Sequence, residues 1–365
     1  MKERKKKKII SSGKKLLKKR RGFTLVELII VIGIIALLAT LAIVSMTKAR
    51  MQARDSKRTE DTRTMVLGLE SYYNRHGVYP TIITPGQKLE DSEGTLYINQ
   101  VPSNPRPRND GFCPDKDFHY ETFNGGQNFM LTFCLGDDKG SLNKGINFYQ
   151  SGGAVLTCGN QIVDRDGYTY NTIQIGGQCW LKENLKTRTK PNGTALTNLS
   201  DGSERDCSNT VGIHGTEADC DAGNTLYMWN AAMNGSTTEG AQGLCMDGWH
   251  IPTDAEWHEM ENFLKNPGQS CDPNRVNVAD CDNTGEKIWP SGSLGFNATL
   301  PGLRAIDIMF TDTFADFDYS AFFWSSTLSG SDAQTRSINT DETRITRGPA
   351  DTTSLSLSVR CIKNY

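Results

Sequence analysis

Twenty-four consecutive residues, Phe23 to Met46, carry a single charge, Glu27. A run of that length reads as a membrane-spanning helix, since about 20 apolar residues cover the hydrocarbon core of a bilayer. Residues 1–22 hold twelve Lys/Arg and one Glu, a net of +11. The positive-inside rule keeps such a head in the cytoplasm and places everything after Met46 outside. A secretory signal peptide has an apolar part of only about 7–15 residues and a small-residue cleavage site. Here the run is too long, and no A-x-A lies at its far end. A plain signal anchor leaves Glu27 and the abrupt RRG–F junction unexplained. A carboxylate at mid-bilayer costs roughly 2.5–3.5 kcal/mol, so an intramembrane Glu is a functional suspect. Glu27 lies one turn from Phe23. Cutting after Gly22 would give it a positive partner, the amino group of Phe23.

These residues resemble the type IV prepilins and their pseudopilin relatives, whose pattern is a basic leader ending in Gly and then F-T-L-x-E-L-x-x-V-x-x-I-I-A-x-L. The chain reads Gly22, Phe23, Thr24, Leu25, Val26, Glu27, Leu28, then Val31, Ile34, Ile35, Ala36 and Leu38. The resemblance implies cleavage between Gly22 and Phe23 by a prepilin peptidase and N-methylation of Phe23. It further implies that Glu27 meets the Phe23 amine of a neighbouring subunit during assembly. The leader is longer and richer in lysine than the family's usual few residues.

Past the membrane run the helix is expected to continue to about His76. Between Thr47 and His76 there is no Pro, and Gly68 is the one Gly. Thr62, Met65, Leu69, Tyr72 and Tyr73 follow helical spacing. Asp55, Glu60 and Asp61 interleave with Arg50, Arg54, Lys57, Arg58 and Arg63, which reads as a salt-bridged exposed face. Gly77, preceded by Arg75 and His76 and followed by Pro80, is the expected stop. A helix over residues 23–76 is about 80 Å long at 1.5 Å per residue. Its first half is apolar all round, and its second half is amphipathic and needs a sheet to lean on. That is the pilin body plan, and SYYNRHGVYPT (71–81) is similar to the pseudopilin pattern at this place. Strands are expected at Asp117–Phe123 and Asn128–Leu135, split by the turn Asn124-Gly125-Gly126, and at Gly145–Tyr149. The domain expectation is a basic leader over 1–22 and a pilin-like domain over 23–150. A flexible linker follows over 151–156, then a second domain over 157–365.

The chain has 365 residues and a formal charge of −2. That length suggests two folded units outside the membrane. Removing the +11 leader leaves the mature chain at −13, so the basic run is a topology signal. An acidic exterior argues against nucleic-acid binding, because phosphate contacts need Lys or Arg. Ten cysteines all follow the membrane run: Cys113, Cys134, Cys158, Cys179, Cys207, Cys220, Cys245, Cys271, Cys281 and Cys361. An even number on the translocated side reads as disulfides. Zinc is a poor alternative, since no C-x-x-C or C-x-x-H pair occurs. Cys113 and Cys134 flank the first strand pair and are placed to bridge. Cys207 with Cys220 and Cys271 with Cys281 close short local loops, and Cys158 with Cys179 would tie a hairpin near 160–181. Sequence alone leaves the connectivity open.

All six Trp lie after Cys158. A short helix is expected at Leu226–Met233. A clearer one starts at Thr253, where Thr253 and Glu256 form a capping box ahead of Trp257, Met260, Glu261 and Leu264. A last strand is expected within Ser354–Lys363, and the fold class is α+β. DRDGYTYNTIQIGGQCWLKENLKT (164–187), LYMWNAAMNG (226–235), GLCMDGWHIPTDAEW (243–257), GFNATLPGLR (295–304), FWSST (323–327) and SVRCIK (358–363) resemble the Fibrobacter succinogenes major paralogous domain. That family in turn looks related to C-type lectin-like and formylglycine-generating domains. The resemblance implies a disulfide-rich C-type lectin-like fold and a Cys245–Cys361 bridge.

The candidate chemistry is thin. Of His76, His119, His214, His250 and His258, only His258-Glu259 approaches a zinc-protease motif, and Asn262 breaks it. His250, inside the GWHIP block, reads as structural. Asp164-x-Asp166-Gly167 reads as a hairpin turn rather than a calcium loop. Asp280, Asp282 and Thr284 are the better calcium candidates, but Ser291 stands where the loop needs Glu. The E-P-N and W-N-D sugar motifs of calcium lectins are absent, and each cysteine has a plausible structural partner. No enzyme, no cofactor and no nucleic-acid partner is therefore expected. The expected function is a minor or tip type IV pilin-like subunit, held in the cytoplasmic membrane and then displayed outside. It would carry a lectin-like recognition domain for a glycan or protein ligand. The competing readings are a type II secretion pseudopilin with a partner- or cargo-binding domain, and a membrane-anchored extracellular enzyme.

Overall fold

One helix, Leu25–His76, opens the computed structural model, which describes residues 23–197, 203–209, 214–306 and 312–365. Gly22 and the rest of the leader lie outside the described residues. Up to Arg50 every described residue is exposed. This stretch is long and apolar enough to cross a membrane. Both of its threonine hydroxyls are satisfied within the helix: Thr40 Oγ1 donates to the Leu37 carbonyl and Thr47 Oγ1 to that of Ile43, both at 2.8 Å. Internal satisfaction is what hydrocarbon demands of a backbone-lined segment.

From Met51 the helix is part of a second compact unit that runs to Tyr365. Met65 and Leu69 pack against Phe129, Leu131, Tyr79, Leu89, Ile98 and Val101. Gly68 lies against Ile98, where a Cβ would stand 2.3 Å from Cγ1. The helix stops at His76, and Gly77 turns left-handed at φ +72° as its N–H closes on the Tyr73 carbonyl at 2.7 Å. Positive φ is what glycine tolerates without cost.

The helix leans on an antiparallel sheet of His119–Phe123, Asn128–Leu135, Gly145–Gln150 and Val155–Thr157, paired in chain order. Its first turn is Asn124–Gly126. Two expectations change here. Asp55, Arg58 and Asp61 are not on an exposed face but are buried. The segment 104–110 folds over Arg58, which donates to Asn104 Oδ1 at 2.8 Å and the Pro107 carbonyl at 3.0 Å and pairs with Asp55 at 2.7 Å, while Asp55 also accepts from Gly136 N and Asp137 N at 3.0 Å. Nor do residues 151–156 act as a linker. Gln150 N donates to the Ala154 carbonyl at 3.0 Å, closing a hairpin turn, and Val155 and Leu156 pair with Tyr149 and Phe148.

Three further sheets follow. One is ordered Trp249–His250, Ile362–Lys363, Gln178–Leu181, Thr169–Ile175, Gln161–Val163. The second is Val278–Asp280, Glu342–Asp351, Asp332–Asn339, Ser320–Ser329. The third is Arg205–Cys207, Thr225–Met228, Leu355–Leu357, Leu303–Ile306, Asp312–Ala315. The helix Asp254–Leu264 starts at the Thr253–Glu256 capping box. Its Trp257 packs with tilted rings at 4.8 Å from Trp180 and 5.5 Å from Phe323. The expected helix over 226–233 is instead a strand, Thr225–Met228, followed by one turn, Trp229–Ala232. Pairing of Tyr227 with Leu357 draws the first half into a sheet. The expected strand within 354–363 is split into Leu355–Leu357 and Ile362–Lys363, which serve different sheets. One apolar core runs from Met130, Ile146 and Phe148 of the pilin-side sheet to Trp249, Tyr227 and Trp324.

Candidate functional site

The helix N-terminus carries a reciprocal cap. Glu27 accepts from Thr24 N at 2.9 Å and from Thr24 Oγ1 at 2.8 Å, both on Oε2. Glu27 N donates back to Thr24 Oγ1 at 3.2 Å. This satisfies donors that a helix start leaves unpaired. It holds the carboxylate beside Phe23, which is 79% exposed. The cap supplies no countercharge, so a cation is still needed when Glu27 enters hydrocarbon.

Five disulfides join Cys113–Cys134, Cys158–Cys179, Cys207–Cys220, Cys245–Cys361 and Cys271–Cys281, and no cysteine is free. Two triads among the described residues gather potential metal ligands: Cys207, Glu217 and Cys220, and His258, Glu261 and Cys271. Their sulfurs are bonded to other sulfurs and offer no thiolate. The calcium candidates are engaged separately. Asp280 accepts from Asp272 N at 2.7 Å, Asp282 faces Arg344 at 3.9 Å, and Thr284 Oγ1 donates to the Cys281 carbonyl. Asp164 and Asp166 sit in a hairpin turn. Asp164 accepts from Tyr170 OH and from Asp166 N and Tyr168 N, and Asp166 from Thr187 and Thr189.

A polar seam joins the pilin-side sheet to the part of the same compact unit that follows Thr157, called the distal domain. Lys363 is buried, its Nζ donating to the Gly248 carbonyl at 2.9 Å and lying 5.2 Å from the Phe148 ring centroid. Burial pulls this amine down to about 7. Burial raises Glu121, but His119, Lys363 and Asn364 outweigh that and hold it below its ordinary range. His250 bridges Asn364 Oδ1 at 2.6 Å and Glu256 at 2.9 Å. The sequence reading missed Lys363 and Glu121. Residues 358–363 are all buried, so alternation there does not single out the lysine, and Glu121 and Lys363 meet only through distant chain.

A second buried network ties the helix Asp254–Leu264 to its sheet. Arg336 and Arg347 converge on Asp254 at 2.6 and 2.8 Å, while Arg275 and Arg336 share Glu261. Burial raises Asp254, and the two arginines more than reverse it. These charges are mutually satisfied and serve packing.

The prokaryotic N-terminal methylation motif matches residues 17–43, over the start of the exposed apolar helix and its Thr24–Glu27 cap, and supports a type IV pilin- or pseudopilin-like subunit. That motif implies processing by prepilin peptidase and assembly with other pilin subunits, and it fits a protein first anchored in the membrane and then surface-exposed. The chain belongs to the Fibrobacter succinogenes major domain family, matched over residues 173–363. No curated protein and no solved structure matches the chain.

Proposed function

We propose that this chain is a minor or tip subunit of a type IV pilus that displays its distal domain as a non-enzymatic, lectin-like adhesion module. The carrying observation is the Thr24–Glu27 cap at the head of an apolar helix, matched by the methylation motif. Burying that helix against copies of itself supplies the driving force. Pairing Glu27 with a neighbour's methylated Phe23 amine sets register more than it adds stability. About 315 residues beyond the apolar stretch would crowd every position of a filament, which favours a minor or tip place.

The competing reading is a secretion pseudopilin, and the 71–81 segment supports it. Immunogold labelling with an antibody to residues 157–365 separates the two. Label on extended fibres is expected, and label confined to the envelope would favour the pseudopilin. Mass spectrometry of the mature protein is expected to give an N-terminus at methylated Phe23. Any other start removes the prepilin assignment.

A further inference from the structure

A cleft of about 420 Å³ opens between two sheets of the distal domain. Small-ligand sites span about 300–1,000 Å³. One wall belongs to the sheet of Val278–Asp280, Glu342–Asp351, Asp332–Asn339 and Ser320–Ser329. Arg336 of this sheet reaches the helix Asp254–Leu264, and strand alternation turns Thr335 and Ser337 the other way, into the cleft. Phe322, Ser337 and Thr346 are cross-strand partners there, and such partners share a face with Cβ atoms about 4.5–5.5 Å apart. The other wall is Leu303 and Leu355 of the third sheet. Leu303, Phe322 and Leu355 are half-buried, packed on the core and still lining the cleft.

The fold leaves the polar groups of this cleft unused. Thr335 Oγ1 donates to the Gly348 carbonyl at 2.8 Å. Among the described residues, the side chains of Ser337, Thr346 and Asn277 have no hydrogen-bond partner. Asn277 is nevertheless placed. Its N–H donates to the Arg347 carbonyl at 2.8 Å, and its amide lies over Gly348, where a Cβ would stand 2.2 Å from Oδ1. Asp351 is the one charged residue in the lining, and its cross-strand partner Asp332 is acidic too.

We propose that this cleft is the recognition site of the distal domain and binds a neutral saccharide. The proposal rests on the lectin-like reading above and gives it a place and a ligand class. The C–H face of a sugar ring lies on Phe322 and Leu355. Its hydroxyls exchange hydrogen bonds with Ser337, Thr346 and Asn277 and donate to Asp351, a few polar groups over an apolar lining. An acidic sugar would meet Asp351 with no cation in the lining to answer it. The strands that carry Ser337, Thr346, Leu303 and Leu355 each lie between two others, so the cleft offers a peptide no free strand edge there.

The test applies the full chain in detergent micelles to an array of neutral oligosaccharides, with oligogalacturonate and chitosan oligomers as the acidic and basic counterparts. A neutral oligosaccharide is expected to bind at least tenfold more tightly than either charged one. Thr346→Arg, which fills the cleft, should abolish that binding. Ser337→Ala and Asn277→Gly should each weaken it about fivefold, the loss of one hydrogen bond, at unchanged melting temperature. Asn277 has a left-handed φ of +54°, which glycine keeps without strain. Binding that survives all three variants, or that favours a charged oligosaccharide, would overturn the proposal and leave the lectin-like reading standing. No binding of any oligosaccharide at millimolar concentration would overturn both.

Discussion

Asn364 donates through Nδ2 to both carboxylate oxygens of Glu121, at 2.8 and 3.0 Å, across 243 residues of sequence. Its Oδ1 pairs with His250. One amide therefore joins the strand His119–Phe123 of the pilin-side sheet to the strand Trp249–His250 of the distal domain. Hydrogen bonds to a charged group contribute about 1.5–3 kcal/mol. Asn364→Ala is expected to lower stability by about that amount, read as a shift in the denaturant midpoint. Asn364→Asp should cost more, because it sets a second carboxylate against Glu121. A midpoint unchanged in both variants would remove this bond from the account of the junction.

Lys363 makes the same junction respond to alkali. Burial pulls its amine from 10.5 to about 7. Between those values the unfolded chain binds the proton and the folded chain does not, so stability rises with pH. Below about pH 7 both states are protonated and the penalty is complete. The denaturant midpoint is expected to climb from pH 7 to pH 9 in the native chain. Lys363→Met should flatten that climb, and a variant that retains the full slope would assign it to other groups.

The features legible in the sequence are those written in adjacent residues. Gly77 after a basic last turn, Asn124-Gly125-Gly126 between alternating segments, and Thr253 with Glu256 each carry their geometry locally. The features that escaped depend on distant chain. Asp55 and Arg58 have the spacing of a surface ion pair, and it is the arrival of distant chain that buries them, residues 104–110 on Arg58 and residues 136–137 on Asp55. Thr225–Met228 has the composition of a helix start, and its strand exists because Leu357 pairs with Tyr227. Residues 151–154 have linker composition, which is equally the composition of a tight turn.

Gly68 is the point of closest approach between the helix and the segment Leu96–Ile98. A Cβ there would stand 2.3 Å from Ile98 Cγ1 and 3.3 Å from the Tyr97 carbonyl oxygen. Overpacking of this kind costs about 1–3 kcal/mol. Gly68→Ala is expected to destabilise by that amount despite its better helix propensity. Adding Ile98→Ala should recover part of the loss, giving a coupling term in a double-mutant cycle. Simple additivity would place the strain elsewhere.

Glu27 is expected to act in assembly and not in processing. Its cap to Thr24 lies within one chain, and Gly22–Phe23 cleavage is expected to proceed without the carboxylate. Glu27→Ala is expected to leave a mature N-terminus at Phe23 and a membrane-bound protein. It should reduce the chain recovered in the sheared filament fraction at least tenfold. Normal incorporation would show that the apolar helix sets its own register.

Cys245–Cys361 closes a loop with a sequence separation of 116, against 10 for Cys271–Cys281. In the chain-entropy model these loops contribute about 5 and about 3 kcal/mol respectively. The long loop also fixes the strand Ile362–Lys363 beside Gln178–Leu181. That placement carries Lys363 and Asn364 to the seam. Replacing Cys245 and Cys361 by Ser should therefore cost more than replacing Cys271 and Cys281. It should also erase the rise in stability from pH 7 to pH 9, whereas the Cys271/Cys281 pair should leave that slope intact. Urea titrations of the two double variants at pH 7 and pH 9 decide between a bridge that only shortens the unfolded chain and one that also holds the junction in place.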